Sequence, residues 1–164
     1  LLDMTGLQTV ERSDTISLAA LTEEVFCDLD PVADKHQIRL IQTEGDCTVT
    51  GSYILLYRAV YNLVENAIKY NRPSGSVTVS IHTAESAVLE VTDTGIGISP
   101  ENQEKIFDPF YRVDKSRSRA MGGAGLGLAL VSEIARQHNG QVKVTQSSEK
   151  GSTIALILPE STDY

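Results

Sequence analysis

Apolar positions in this chain recur with a helical period in some stretches and alternate in others, and the switches between the two mark out its elements. Apolar residues at 18, 21, 25, 29 and 32 predict a helix over 18–36, with Asp30-Pro31 inside it as a point for a kink or an early stop. Short strands are predicted at 15–18, 37–43 and 47–50. Ser52 is placed to cap a helix running from 53 to about 71. Val60, Leu63, Val64, Ala67 and Ile68 form the inward face of that helix. A loop over 71–75 ends it, and residues 76–83 and 87–92 alternate around 84–86 as a hairpin. A glycine turn follows at 93–97. Ser99-Pro100 then opens a short helix, with Pro at its first position, that stops at Asp108-Pro109.

Residues 111–125 follow neither period and are polar, basic and glycine-rich, the pattern of a loop able to move. Apolar residues at 126, 128, 130, 131, 134 and 135 restore the helical period up to His138, and Asn139-Gly140 stops it. Strands at 141–146 and 152–158 flank a turn at 147–151. This order predicts an α/β (α+β) two-layer sandwich: a mixed, mostly antiparallel sheet of about five strands with helices on one face.

Composition narrows the function. The chain has 164 residues, enough for one domain with a real core, and no apolar run approaches a membrane span. It starts without Met and without a basic leader, so it reads as a fragment with no signal peptide. Net charge is −8, from 14 basic and 22 acidic residues, which argues against nucleic acid as the main partner. Four of the basic residues, Arg112, Lys115, Arg117 and Arg119, nevertheless fall within eight positions, as a charged ligand would require or as a plain solvated loop would show. Cys27 and Cys47 lack metal-ligand spacing and read as free thiols of a reducing compartment. His36, His82 and His138 stand apart and read as surface or helix-end residues.

Four stretches carry candidate chemistry. Gly122, Gly123, Gly125 and Gly127 lead into the helix at 126, and a glycine loop feeding a helix N-terminus can hold phosphate on its amides, although such loops also serve as hinges. On the helix at 53–71, Arg58, Asn62, Glu65, Asn66 and Lys69 form one polar stripe. Such a stripe is commonly just a solvated face, but Asn is a poor helix former and its carbonyl suits Mg²⁺. Asp93 closes a strand at the glycine turn, where its carboxylate can accept from an exocyclic amine or simply cap an Asx turn. Gly95 and Gly97 leave room for a planar ring. Phe107 and Phe110 are placed to tie the following loop to the core.

In this order the four stretches resemble the catalytic and ATP-binding domain of bacterial sensor histidine kinases, within the superfamily shared with gyrase, Hsp90 and MutL. Residues 62–70 resemble its N box, 93–97 its G1 box, 107–112 its F box and 123–128 its G2 box. Gly151-Ser152-Thr153-Ile154 through Leu158-Pro159 resembles the family's last hairpin. The resemblance covers about 12–159 and implies the Bergerat fold. It makes residues 1–11 the tail of a preceding dimerisation helix, 111–123 an ATP lid and 160–164 a tail.

Roles follow from the resemblance position by position. Asn66 ligates Mg²⁺ with Asn62 beside it, Lys69 contacts phosphate and Tyr70 the purine side. Asp93 reads the adenine amino group, and Gly95 and Gly97 shape the base pocket. Arg112 and Arg117 reach phosphate from the lid. Gly123, Gly125 and Gly127 offer amides to the phosphates while Leu126 and Leu128 pack the loop.

The implied cofactors are ATP and Mg²⁺. The implied reaction is transfer of the γ-phosphoryl group to a histidine on a separate dimerisation domain, and onward to a response regulator. The whole protein is then a homodimeric, membrane-anchored sensor whose cytoplasmic part includes this chain. Two departures stand out. No histidine sits in a phosphoacceptor motif, and Gly51-Ser52 stands where many relatives carry Asp before the N-box helix. Two rival readings are a hydrolytic ATPase of the superfamily, which places a Glu where this chain has Asn62, and a non-catalytic nucleotide-sensing or scaffold module.

Overall fold

The computed structural model describes residues 14–108 and 126–161. The first strand, β1 (Asp14–Ser17), leads straight into α1 (Leu18–Lys35). Ser17 caps that helix by accepting from the Ala20 amide at 3.1 Å. Asp46 joins it, taking the Ala19 amide at 2.9 Å and the Ser17 hydroxyl at 2.7 Å, so a carboxylate faces the positive end of the helix. Helix α1 continues through Pro31 without the early stop its sequence allowed. It ends where Gln37 turns to φ +60° and the Ile38 amide bonds back to Ala33 at 2.9 Å. That turn uses up Gln37 and Ile38, so β2 is Arg39–Gln42 rather than 37–43.

Next come β3 (Thr48–Gly51) and α2 (Tyr53–Lys69). Ser52 does cap α2, its hydroxyl accepting from the Leu55 amide at 3.3 Å. A carboxylate stands at this helix start as well, supplied by Asp14 of β1, which accepts from the Tyr53 amide at 3.2 Å. The acceptor for the Tyr53 amide thus comes from a residue 39 positions away in sequence.

The hairpin β4 (Ser76–Ala84) and β5 (Ser86–Asp93) follows. Where one short helix was predicted over 99–108, two separate 3₁₀ turns form, Pro100–Asn102 and Lys105–Phe107. Their amides bond three residues back, Asn102 to Ser99 and Asp108 to Lys105, and no α register links them. Helix α3 (Leu126–Gln137) ends at Asn139, φ +60°, as its Asn-Gly signal indicates. The chain closes with β6 (Gln141–Ser148) and β7 (Gly151–Leu158).

Five strands form one sheet in the order β2-β4-β5-β7-β6. Among the described residues, only the β2–β4 pair is parallel. The predicted mixed, mostly antiparallel sheet is therefore present, and β1 pairs with β3 as a separate antiparallel ribbon. Among the described residues, all three α-helices pack on one face. Val77, Val79 and Ile81 of β4 and Ala87, Leu89 and Val91 of β5 point to them and are buried, while the alternate residues point away. The core closes with Leu21, Val25 and Leu29 of α1, Leu56, Val60, Leu63 and Val64 of α2, and Val131 and Ile134 of α3. This layering carries the end of α2 and the carboxyl end of β5 to the same region of the molecule.

Candidate functional site

Helix α2 buries Val60, Leu63, Val64, Ala67 and Ile68, which fixes its rotation. Asn62, Glu65, Asn66 and Lys69 are thereby left half-exposed on the outer stripe. Lys69 Nζ stands 3.9 Å from Glu65 Oε1. Among the described residues, no hydrogen bond engages the amide of Asn62 or of Asn66. Two unspent amide carbonyls, one turn apart and beside a lysine, are a donor set that fits a hard cation bridged to phosphate. Tyr70 follows as the C-cap of the helix.

Asp93 is the last residue of β5, and both of its carboxylate oxygens are held. Oδ1 accepts from the Gly95 amide at 2.9 Å and from the Ser152 amide at 3.3 Å. Oδ2 accepts from the Ser152 hydroxyl at 3.0 Å. The Asx turn is therefore real, and it orients the carboxylate. Burial pushes the Asp93 carboxyl above its ordinary range, opposed by the hydrogen bonds from Gly95 and Ser152. A fixed, partly desolvated acceptor suits recognition of an amino group.

The glycines around Asp93 are needed for close approach of chain to chain. A Cβ on Gly95 would stand 2.3 Å from the Tyr70 carbonyl oxygen. At Gly97, with φ +77°, it would stand 2.0 Å from the Ser148 carbonyl oxygen. Both missing side chains thus make way for protein backbone, from the end of α2 and from the end of β6. The end of β6 also holds the loop further on, where the Ile98 amide donates to Ser147 Oγ at 2.6 Å.

The structure brings Tyr70, at the end of α2, against the turn holding Asp93, Gly95 and Gly97, while Asn62, Asn66 and Lys69 lie further back along the same helix. Leu128 of α3 is half-buried and packs on the core, as does Phe107. Arg112, Arg117, Gly123 and Gly125, together with Phe110, the expected lid and the expected tail helix at 1–11, lie outside the described residues. Leu126 and Gly127 open α3, with only their backbone described.

Ser152 was missed in the sequence because its contact depends on pairing across the sheet, where β5 sets Asp93 opposite it. His138 is a helix-end residue as expected, yet it is only 4% exposed. Its Nδ1 bonds to the Ile134 carbonyl at 2.8 Å and its Nε2 accepts from the Ser52 amide at 3.1 Å, which ties the end of α3 to the start of α2. A cleft of about 530 Å³ lies at the far end of the sheet, between Glu85, Asn139 and Glu160. It shares no residue with this site, and the β5–β7 register puts Asp93 at the opposite end. Among the described residues, no group of three or more His, Cys, Asp or Glu side chains could hold a metal, and no helix is long and apolar enough to cross a membrane.

Residues 51–162 match the family described as the histidine kinase-, DNA gyrase B- and HSP90-like ATPases. The sensor-like histidine kinase SenX3 of Mycolicibacterium smegmatis is 38% identical over 169 residues, covering 99% of this chain and 44% of its own length. The chain thus spans less than half of the curated relatives it matches. Among solved structures, the mycobacterial sensor histidine kinase MprB superposes with a TM-score of 0.75 at 28% identity, covering 90% of this chain and 97% of that one. Full-length ShkA, in complex with AMPPNP, superposes with a TM-score of 0.81 at 23% identity over 98% of this chain and 34% of that one, which speaks to the fold.

Proposed function

The chain belongs to the histidine kinase-, DNA gyrase B- and HSP90-like ATPase family, and on that premise we propose that it is the catalytic, ATP-binding part of a sensor histidine kinase. It binds Mg-ATP and passes the γ-phosphoryl group to a histidine of a separate dimerisation domain in the same kinase. A response regulator then receives the group. The observation that carries this reading is Asp93, held at both oxygens by Gly95 and Ser152, on a turn packed against the end of α2. An acceptor fixed in this way suits the amino group of adenine, and the stripe suits a phosphate-bound cation.

Asn66 is the residue proposed to hold Mg²⁺, with Asn62 beside it. When bound, Mg²⁺ neutralises phosphate charge and holds the oxygens in place for transfer. Lys69 adds positive charge near the phosphates, and Tyr70 lines the purine side. From the segment outside the described residues, Arg112 and Arg117 are proposed as phosphate contacts. Gly123, Gly125 and Gly127 are proposed as amide donors, and the helix start they precede favours an anion. The protein has little covalent chemistry to perform; it aligns the phosphate and screens its charge.

Asn62 favours transfer over hydrolysis. A superfamily ATPase needs a general base one turn before the metal-binding Asn, and an amide cannot take a proton. The proposed whole protein is a homodimeric membrane sensor with this part in the cytoplasm. Calorimetric titration with ATP, with and without Mg²⁺, tests the binding step. Incubation with a histidine-bearing dimerisation domain and γ-labelled ATP tests the transfer. Mg²⁺-dependent binding and label on the histidine are expected. Binding without transfer to a cognate domain would favour a nucleotide sensor, and no binding would favour a scaffold.

A further inference from the structure

We propose that Asn71 and Thr94 act as a positioning pair that sets the span between the two ends of the nucleotide site. The inference rests on the nucleotide-binding reading above. Asn71 lies two residues beyond Lys69, and Thr94 directly follows Asp93. Thr94 Oγ1 donates to Asn71 Oδ1 at 2.8 Å and accepts from the Ser76 amide at 2.9 Å. Asn71 Nδ2 donates to the Ser76 carbonyl at 2.9 Å, and its Oδ1 also accepts from the Arg72 amide at 2.8 Å. The Thr94 amide donates to the same Ser76 carbonyl at 3.3 Å. Three segments thus meet at two side chains: the end of α2, the first residue of β4 and the first residue after β5.

The clasp leaves little room to slip. A Cβ on Gly75 would stand 2.3 Å from Thr94 Oγ1 and 2.5 Å from Asn71 Oδ1. On Gly95 it would meet the Tyr70 carbonyl oxygen at 2.3 Å and Asn71 Cα at 3.2 Å. The α2 side chains proposed for metal and phosphate sit at one side of this joint, and Asp93 sits at the other. Both side chains of the pair are spent on the joint, so they act through the spacing they impose. A ligand that grips both sides depends on that spacing. A ligand that reaches only the base side does not.

The test compares Mg-AMPPNP, which spans the site, with adenosine, which reaches only the base end. Thr94→Val removes the hydroxyl and keeps the branched shape, and Thr94→Ser restores the hydroxyl. Calorimetry reads Mg-AMPPNP, chemical-shift titration reads adenosine, and a thermal melt shows that each variant is folded. Thr94→Val is expected to weaken Mg-AMPPNP by about tenfold or more and adenosine by less than about threefold. Thr94→Ser is expected to bind Mg-AMPPNP within about threefold of the unmodified chain.

Equal loss for both ligands, or no loss for Mg-AMPPNP in folded Thr94→Val, overturns the proposal while leaving the nucleotide site intact. Absence of Mg-AMPPNP binding by the unmodified chain overturns the nucleotide reading and the proposal with it. If Thr94→Val does not fold, Asn71→Ala carries the same comparison. It removes both the acceptor for Thr94 and the donor to Ser76 without adding charge.

Discussion

Replacing Asp93 by Asn separates the fold from the function at one atom. Oδ1 is held by two backbone amides, from Gly95 and Ser152, so an amide side chain must keep its carbonyl oxygen there. The new NH₂ then takes the place of Oδ2 beside the Ser152 hydroxyl, which can turn to accept from it. Local hydrogen bonding survives, but the adenine amino group proposed to bind here now meets a donor instead of an acceptor. A hydrogen bond to a charged group contributes about 1.5–3 kcal/mol, so Mg-AMPPNP affinity should fall about 10- to 150-fold.

Stability should move the other way. Burial is the largest influence on Asp93 and raises its folded pKa above the ordinary 3.8. Its favourable contribution is complete below that ordinary value and is lost as pH rises through the elevated one. At neutral pH the ionised group is therefore a cost that Asp93→Asn removes, and the variant should melt at or above the temperature of the unmodified chain. The advantage should shrink as the solution is acidified through the folded pKa. Calorimetric melts from pH 7 down to about 4, with titrations at pH 7, check both halves. A drop in melting temperature of more than about 3 °C at pH 7, roughly 1 kcal/mol for a domain of this size, would refute the argument. It would mean that the fold requires the charge.

Gly95→Ala places a methyl 2.3 Å from the Tyr70 carbonyl. It should cost about 1–3 kcal/mol in a denaturant titration, with nucleotide affinity falling in the fraction that stays folded. His138→Leu fills nearly the same volume but leaves the Ser52 amide without its acceptor. A loss of about 1–3 kcal/mol is expected; because the contact lies at the start of α2, the Kd for Mg-AMPPNP should stay within about threefold. Asn62→Glu should not create strong ATPase activity, since a base alone does not supply the lid and partners of a hydrolase. A large rise in released phosphate would show otherwise.

The layers of the fold were legible because they rest on periodic burial. Leu18, Leu21, Val25 and Leu29 repeat as a helix must, and Val77, Val79 and Ile81 alternate as a strand must. Caps were legible too: Ser52 and Asn139-Gly140 mark helix ends through their own local chemistry. Legibility failed where a contact is distant in sequence. Nothing near Tyr53 announces that its amide meets Asp14, 39 residues away, and nothing near Asp93 announces Ser152, 59 residues on. The 3₁₀ turns were read as one helix because a Pro at a first turn marks where a helix can begin, not whether α register follows.

The glycine turn shows how the two kinds of information combine. The spacing of Asp93, Gly95 and Gly97 points to a site, yet the reason for the glycines lies in other elements. Gly95 gives way to the end of α2, Gly97 to Ser148 of β6, and Gly151, with φ +138°, to the Asp93 carbonyl at 2.0 Å. Each clearance binds the turn to a different neighbour. Asp93 is therefore positioned by a helix, a hairpin and its own strand together. Loosening any of the three should weaken nucleotide binding before it unfolds the core, because the turn lies at the edge of the packed layers and not within them.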